Sequence, residues 1–299
     1  MRLGLGLAAL GRPAYINVGR SELPPSRSVD AMRDASWAVL DAAYDAGVRW
    51  VDVARSYGLA EEFLAGWLAA RAPSDVTVSS KWGYTYVGAW RLDAAVHEEK
   101  SHDLARFRTQ WVESAGLLGD RLALYQVHSL TPDSPLFGDL ALQDALAALP
   151  VRTGFSTSGP EQASVVRRAM ALERHGQPVF TAVQSTWNLL EPSVGPALAE
   201  AHAAGAYVLV KEALANGRLA VDPPEPVAAL AKSLDVGPDA VALAAALAQP
   251  WARTVLSGAA STRQLASNLA AVSVPHVALP DLAEPPAEYW KHRSDLAWA

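Results

Sequence analysis

Alternation is the feature that most limits what this chain can fold into. Short runs rich in Val, Leu and Ile recur along its whole length, at 3–7, 48–54, 76–81, 122–128, 151–156, 180–184, 206–211 and 254–258. Each is followed by a longer, often alanine-rich segment with room for a helix. In the first of these, Ser28 caps a helix whose apolar positions Met32, Val39, Leu40, Ala43 and Tyr44 follow roughly 3.6-residue spacing, and Gly47 ends it. Similar helices are predicted over 61–70, 104–116, 160–173, 196–204 and 261–272, with Pro160 at a helix start and Gly205 at a helix end. Strands alternating with helices require a parallel sheet with right-handed crossovers, and eight such units match the closed (β/α)8 TIM barrel of the α/β class. An open doubly wound sheet is the structural alternative. No proline- or glycine-rich linker divides the chain, so one barrel domain over 1–299 is expected. A tail from about residue 273 is expected to help shape a pocket.

Composition narrows the functional classes. The 299 residues are 51% hydrophobic and only 19% charged, which argues against disorder and for a large core. A net charge of −6 without a Lys/Arg cluster lacks the electrostatic footprint of a nucleic-acid binder. With no cysteine, disulfides and thiolate metal sites are excluded, which suits a reducing cytoplasm. The longest apolar run, 240–248, is far short of the ~20 residues that span a bilayer, so no membrane segment is expected. Arg2 and the apolar 3–10 stretch resemble a short signal peptide, but Gly4 and Gly6 weaken it and Gly11-Arg12-Pro13 is no small-residue cleavage site. A cytoplasmic protein is the expectation.

Three motifs mislead. Gly4-Leu5-Gly6-Leu7-Ala8-Ala9 fits the dinucleotide fingerprint G-x-G-x-x-A, yet only three residues precede it and Gly11-Arg12-Pro13 breaks the helix that should follow. His97 and His102 are five apart rather than the four of a zinc-protease helix, so a solvated loop is expected and no metal. Gly258-Ala259-Ala260-Ser261-Thr262 resembles a phosphate-binding helix entry but lacks the P-loop Lys-Ser/Thr; an anion-holding helix start capped by Ser261 survives.

The chemistry is concentrated at the strand ends. Asp52, Lys81, His128, Ser156, Gln184 and Lys211 each stand at the C-terminal end of an apolar strand. One buried charge on a strand is commonly a structural ion pair, but six polar residues converging on one rim occupy the face where barrels carry their sites. Tyr57 follows Asp52 on the loop leaving the second strand and reaches the same rim. Adding hydride to a carbonyl builds negative charge on oxygen, which then needs a proton, and a phenol of pKa ~10 gives one up slowly near neutrality. Lys81 beside Tyr57 is expected to lower the phenol's pKa, Asp52 to keep Lys81 charged and fixed, and His128 to donate to the developing oxyanion.

The segment Gly47-Val48-Arg49-Trp50-Val51-Asp52-Val53-Ala54-Arg55-Ser56-Tyr57-Gly58, followed by Glu61 and Leu64, resembles the first signature of the aldo-keto reductases. Ser80-Lys81 and Leu124-Tyr125-Gln126-Val127-His128 are similar to that family's lysine and histidine strands, and the likeness runs from Leu3 to about Asn268. The resemblance implies an NAD(P)H-dependent oxidoreductase interconverting carbonyl and alcohol, with Asp52, Tyr57, Lys81 and His128 as its catalytic residues and no metal. It further implies that Ser156, Thr157 (where asparagine is common) and Gln184 contact the carboxamide, and that 214–218, including Leu214, Gly217 and Arg218, cover the pyrophosphate. Gly258, Ser261, Arg263, Gln264 and Asn268 match the segment that clasps the adenosine. Two departures stand out. Lys211 replaces the aromatic ring that usually stacks on the nicotinamide, with an ion pair to Glu212 as its structural reading, and Gly258 and Gln264 replace a lysine and an arginine. Arg263 near a helix start still favours NADP(H) over NAD(H).

Trp82, Tyr84, Tyr86 and Trp90 follow the lysine strand closely and are expected to wall the substrate pocket with Trp187 and the tail aromatics Tyr289, Trp290 and Trp298. A small-molecule carbonyl compound, whether aldehyde, ketone or sugar, is the expected partner, and a monomer is the family's common state. Two other functions fit the same residues: a Schiff-base barrel enzyme with a neutral Lys81, and a cofactor-holding partner protein resembling potassium-channel β subunits.

Overall fold

The computed structural model describes residues 1–15, 18, 22–275 and 278–298. Eight parallel strands close into a barrel: β1 (Leu3–Gly6), β2 (Trp50–Asp52), β3 (Thr77–Trp82), β4 (Leu122–Leu130), β5 (Arg152–Thr157), β6 (Ala182–Thr186), β7 (Tyr207–Lys211) and β8 (Thr254–Ser257). Each pairs with its neighbours in sequence, and β1 closes the ring by pairing with both β2 and β8. All eight coincide with predicted runs. The expected (β/α)8 barrel is the fold.

The outer helices begin with α1 (Val29–Asp45), α2 (Ala60–Arg71), α3 (Leu104–Leu118), α4 (Leu140–Ala147), α5 (Gln162–Met170) and α6 (Gly195–Ala203). They continue with α7 (Arg218–Val221), α8 (Glu225–Ser233), α9 (Pro238–Leu247), α10 (Thr262–Leu269) and α11 (Pro286–Ser294). Ser28 caps α1 by accepting from the Ala31 amide at 3.2 Å. The apolar run that is too short for a membrane becomes α9, packed on the barrel through Ala240, Leu243 and Ala246. No helix among the described residues is long and apolar enough to cross a membrane. The helix predicted over 160–173 ends earlier, because 173–178 instead forms a small hairpin, Glu173–Arg174 against Gln177–Pro178.

Strand periodicity builds the interior in layers. Trp50 and Tyr207 stack at 4.8 Å with Leu124, Ala182 and Leu209 around them, plugging the N-terminal end. Two residues further along the same strands the inward side chains turn polar: Asp52 above Trp50, Gln126 above Leu124, Gln184 above Ala182 and Lys211 above Leu209. Gly4 lies in the packed layer, where an added Cβ would crowd Thr254, Leu256 and Trp50.

Candidate active site

Asp52, Lys81, Tyr57 and His128 meet at the C-terminal mouth of the barrel. The Lys81 ammonium, buried completely, donates to the Asp52 carboxylate, to the Val53 carbonyl at 3.0 Å and to the Tyr57 hydroxyl at 3.3 Å. Asp52 also accepts from Ser79 at 2.6 Å, from Gln184 at 3.1 Å and from Gln126 at 3.4 Å, so its charge is fully solvated by protein donors. Tyr57 and His128 meet edge to face at 5.4 Å, and His128 Nδ1 lies 3.3 Å from the Ser56 hydroxyl. The loop carrying Tyr57 is fastened from below. The Leu59 amide donates to the Gly11 carbonyl at 2.7 Å, and any side chain on Gly11 would overlap the Tyr57 carbonyl and Ala60.

Electrostatics correct one expectation. Burial, and then the Asp52 charge, push the Tyr57 phenol well above its ordinary range rather than below it. Lys81, the cation expected to lower it, is paired with the Asp52 carboxylate. Burial and the charges of Lys81, Lys211 and Arg12 hold the His128 imidazole well below its usual range, so it is neutral near pH 7.

Asp52, Tyr57 and His128 line one cavity of about 620 Å³, with Lys81 buried behind them. From Asp52, Tyr57, His128 and Gln184 it passes Lys211, Leu214, Asn216 and Gly217 and ends among Glu22, Asp239, Ser257, Gly258, Arg263, Gln264 and Asn268. The Leu214–Gly217 stretch carries a conformational cost, because Ala215 and Asn216 sit at φ 49° and 56° and Glu212 just before it at 54°. Left-handed non-glycine residues cluster where a ligand is clamped. Lys211 pairs with Glu212 at 3.5 Å and donates to Thr186 at 2.8 Å, while Arg293 of α11 donates to Glu212 at 2.6 Å. Burial brings the Lys211 ammonium down to about 8; Arg293 and Lys211 hold the Glu212 carboxyl down at about 2 against the cost of burying it.

Several expected site residues lie elsewhere. Ser156 Oγ is taken by the Ser129 amide at 2.8 Å, and Thr157 is fully buried against Ser185 at 2.7 Å and Gln162 at 3.3 Å. Arg218 turns away from the cavity to pair with Glu284, and Ser261 spends its hydroxyl on the Gln264 amide and on Glu22. Arg263 is not free for an anion, because its guanidinium is paired with Glu22. Of the aromatic wall, Tyr84 lines the cavity and Trp298 does so from the tail. Trp82 is core, packed on Phe107 at 5.1 Å; Trp90 donates to the Arg27 carbonyl at 2.6 Å, and its own amide donates to the Tyr86 hydroxyl. Trp187 packs on Trp251 at 5.9 Å; Tyr289 is held by Asn188 at 2.9 Å and meets Trp290 edge-on at 5.7 Å. The loop expected to be solvated is a strand instead: Glu98–Lys100 pairs with Tyr84–Tyr86, and His97 and His102 are buried on either side of it. His102 bonds the His128 carbonyl at 2.8 Å, and burial lowers its pKa to about 4.

Sequence reasoning missed Arg12. Read only as part of a helix break, it is a buried guanidinium at the cavity mouth, 5.2 Å from the Tyr57 ring, 4.7 Å from Trp298 and 2.6 Å from Glu98. A long cation in an otherwise apolar N-terminal loop was the available signal.

A model described as the aldo/keto reductase family matches residues 2–278. The chain belongs to the aldo/keto reductase family. Two aldo-keto reductase structures share the barrel. The holo form of an enzyme from Bacillus halodurans has a TM-score of 0.66 and 22% identity, over 99% of this chain and 92% of that one. One from Pseudomonas aeruginosa has a TM-score of 0.64 and 22% identity, over 91% and 89%. At that identity the likeness is one of fold. A stretch of 82 residues is 40% identical to D-threo-aldose 1-dehydrogenase of a Pseudomonas species, covering 27% of this chain and 23% of that enzyme. The chain thus matches less than a quarter of that curated relative's length.

Proposed function

We propose that this aldo/keto reductase is a nicotinamide-dinucleotide-dependent oxidoreductase that interconverts a polyhydroxylated carbonyl compound and its alcohol, Tyr57 handling the proton. The observation that carries the reading is the Lys81 ammonium held between the Asp52 carboxylate and the Tyr57 hydroxyl on the floor of an elongated cavity. The cavity suits a dinucleotide: it runs from this group past the left-handed 215–216 turn to Gly258, where an added Cβ would meet nothing within 4 Å. Gln184, Lys211, Leu214, Asn216, Gly217, Gly258, Gln264 and Asn268 are the residues that would hold it. When bound, the nicotinamide ring supplies or accepts the hydride.

Everything else falls to the chain's own side chains. The Tyr57 phenol, kept neutral by burial, gives its proton to the substrate oxygen as charge develops there. Lys81 stabilises the phenolate left behind, and Asp52 keeps Lys81 in place. His128 is neutral, and in the tautomer whose Nδ1 accepts from the Ser56 hydroxyl 3.3 Å away it offers Nε2–H to the substrate oxygen. A Lys81 Schiff base is disfavoured, since Asp52, Val53 and Tyr57 take up all three of its N–H donors. Arg12 and Glu98 at the mouth offer a donor and an acceptor, a pair suited to hydroxyls on a carbon chain. The match to a D-threo-aldose 1-dehydrogenase points the same way.

The test is turnover of wild type and Tyr57→Phe over a panel of aldoses and simple aldehydes with both nucleotides. A loss of at least ~10²-fold in the variant and a preference for aldoses are expected. Unchanged turnover in the variant, or a substrate adduct on Lys81 trapped by borohydride, would overturn the mechanism.

A further inference from the structure

The two ends of the cavity differ in kind. The reacting carbon of a nicotinamide must sit at the Lys81–Tyr57 end, so the rest of the dinucleotide extends toward the opposite end and places the adenosine ribose there. That end is acidic. Glu22 is only 16% exposed and accepts from the Ser261 hydroxyl at 2.7 Å and from Arg263. Asp239, a second carboxylate on the same wall, accepts from Ser267 at 2.9 Å. Gly258 brings no side chain, and the Gln264 amide oxygen is occupied by the Ala260 amide at 2.8 Å. Among the described residues, Arg263, whose side chain is 79% exposed, is the cation lining this end, and it is paired with Glu22.

From this arrangement we propose that Glu22 makes the enzyme selective for NAD(H) over NADP(H), the reverse of what Arg263 suggests in the sequence. The proposal rests on the hydride-transfer reading above. A ribose with free 2′- and 3′-hydroxyls supplies donors, and a carboxylate accepts them. A 2′-phosphate is an acceptor-only dianion. To pair with Arg263 it must draw that guanidinium from Glu22, and it then faces the Glu22 and Asp239 carboxylates that line the same end of the cavity. Selectivity here comes from the repulsive element, which costs the wrong ligand more than it helps the right one.

Calorimetric titration of the purified protein with NADH and with NADPH tests this without any turnover. Wild type is expected to bind NADH at least ~10-fold more tightly. Glu22→Gln removes the charge but keeps the shape, and should tighten NADPH by ~10-fold or more while weakening NADH only a few-fold. Adding Arg263→Ala to that variant should abolish the gain, because the gain comes from the freed guanidinium. In the wild-type background, Arg263→Ala should change NADPH affinity by less than about 3-fold, and this arm remains decisive should Glu22→Gln fail to fold. NADPH binding as tightly as NADH in wild type, or an unaltered ratio in Glu22→Gln, would remove Glu22 from the selection and leave the hydride-transfer reading standing. Failure of both nucleotides to bind would overturn that reading and this one with it.

Discussion

Tyr57 sets the pH behaviour. Its phenol sits well above the ordinary value of 10, so the protonated form that carbonyl reduction needs persists past neutrality, and reduction should show no fall from Tyr57 ionisation below about pH 10. The reverse reaction needs the phenol to give up its proton first, so alcohol oxidation should climb with pH over the same range. Rate–pH profiles in both directions check this. A break near pH 8 that vanishes in Lys211→Met would belong to Lys211, whose ammonium is brought down to about that value in the same cavity. Asp52→Asn is expected to cost about 3–5 kcal/mol of stability by chemical denaturation, because it leaves the Lys81 charge buried without its counterion. Removing both charges, as in Asp52→Asn/Lys81→Met, should cost less than the single change. The floor of the site was legible in the sequence for a simple reason. A strand alternates faces, so a polar residue at a fixed place near the end of an apolar run reports directly which way it points. Its electrostatic balance was not, since whether Lys81 serves Asp52 or Tyr57 depends on distances that no spacing encodes.

Helices and loops were read less well than strands, and α11 and the loop after β3 show why. The aromatic residues Trp82, Tyr86 and Trp90 look like a pocket wall by position, yet Trp82 faces outward into the α3 side of the barrel and Trp90 reaches across to Phe63 and Arg27. Which surface a loop lies against is decided by tertiary packing, and hydrophobicity alone does not tell a core ring from a cavity ring. α11 was expected only as tail, but it anchors the end of β7 through Arg293 and Glu212. That contact makes a pH-dependent prediction. Glu212 has a folded pKa of about 2 against an ordinary 4.5, so its contribution to stability is complete above pH 4.5 and is lost as pH falls toward 2. Arg293→Met should therefore lower stability by about 2–3 kcal/mol at pH 7, and the deficit should shrink as the pH is brought down through that window. Thermal melts of both proteins at several pH values measure it.

At the scale of the molecule, the barrel divides its labour along its axis, with a stacked aromatic plug at one end and the polar cavity at the other. We propose that it unfolds as one unit. Calorimetry should give a single transition, raised by about 2.7 kcal/mol in stability when the nucleotide it binds is present at 100 times its dissociation constant. The plug and the cavity also differ in what they tell an observer outside. Trp298 lies flat on His97 at 4.5 Å, edge-on to Tyr15 at 6.3 Å and beside the Arg12 guanidinium at 4.7 Å, at the lip of the cavity. Indole emission responds to a neighbouring charge and to a stacked ring, so this side chain is a built-in optical gauge of what enters. The other nine of the ten tryptophans give it a steady background. Subtracting the spectrum of Trp298→Phe would isolate its signal and allow substrate entry to be followed in real time, apart from the chemistry deeper in the barrel.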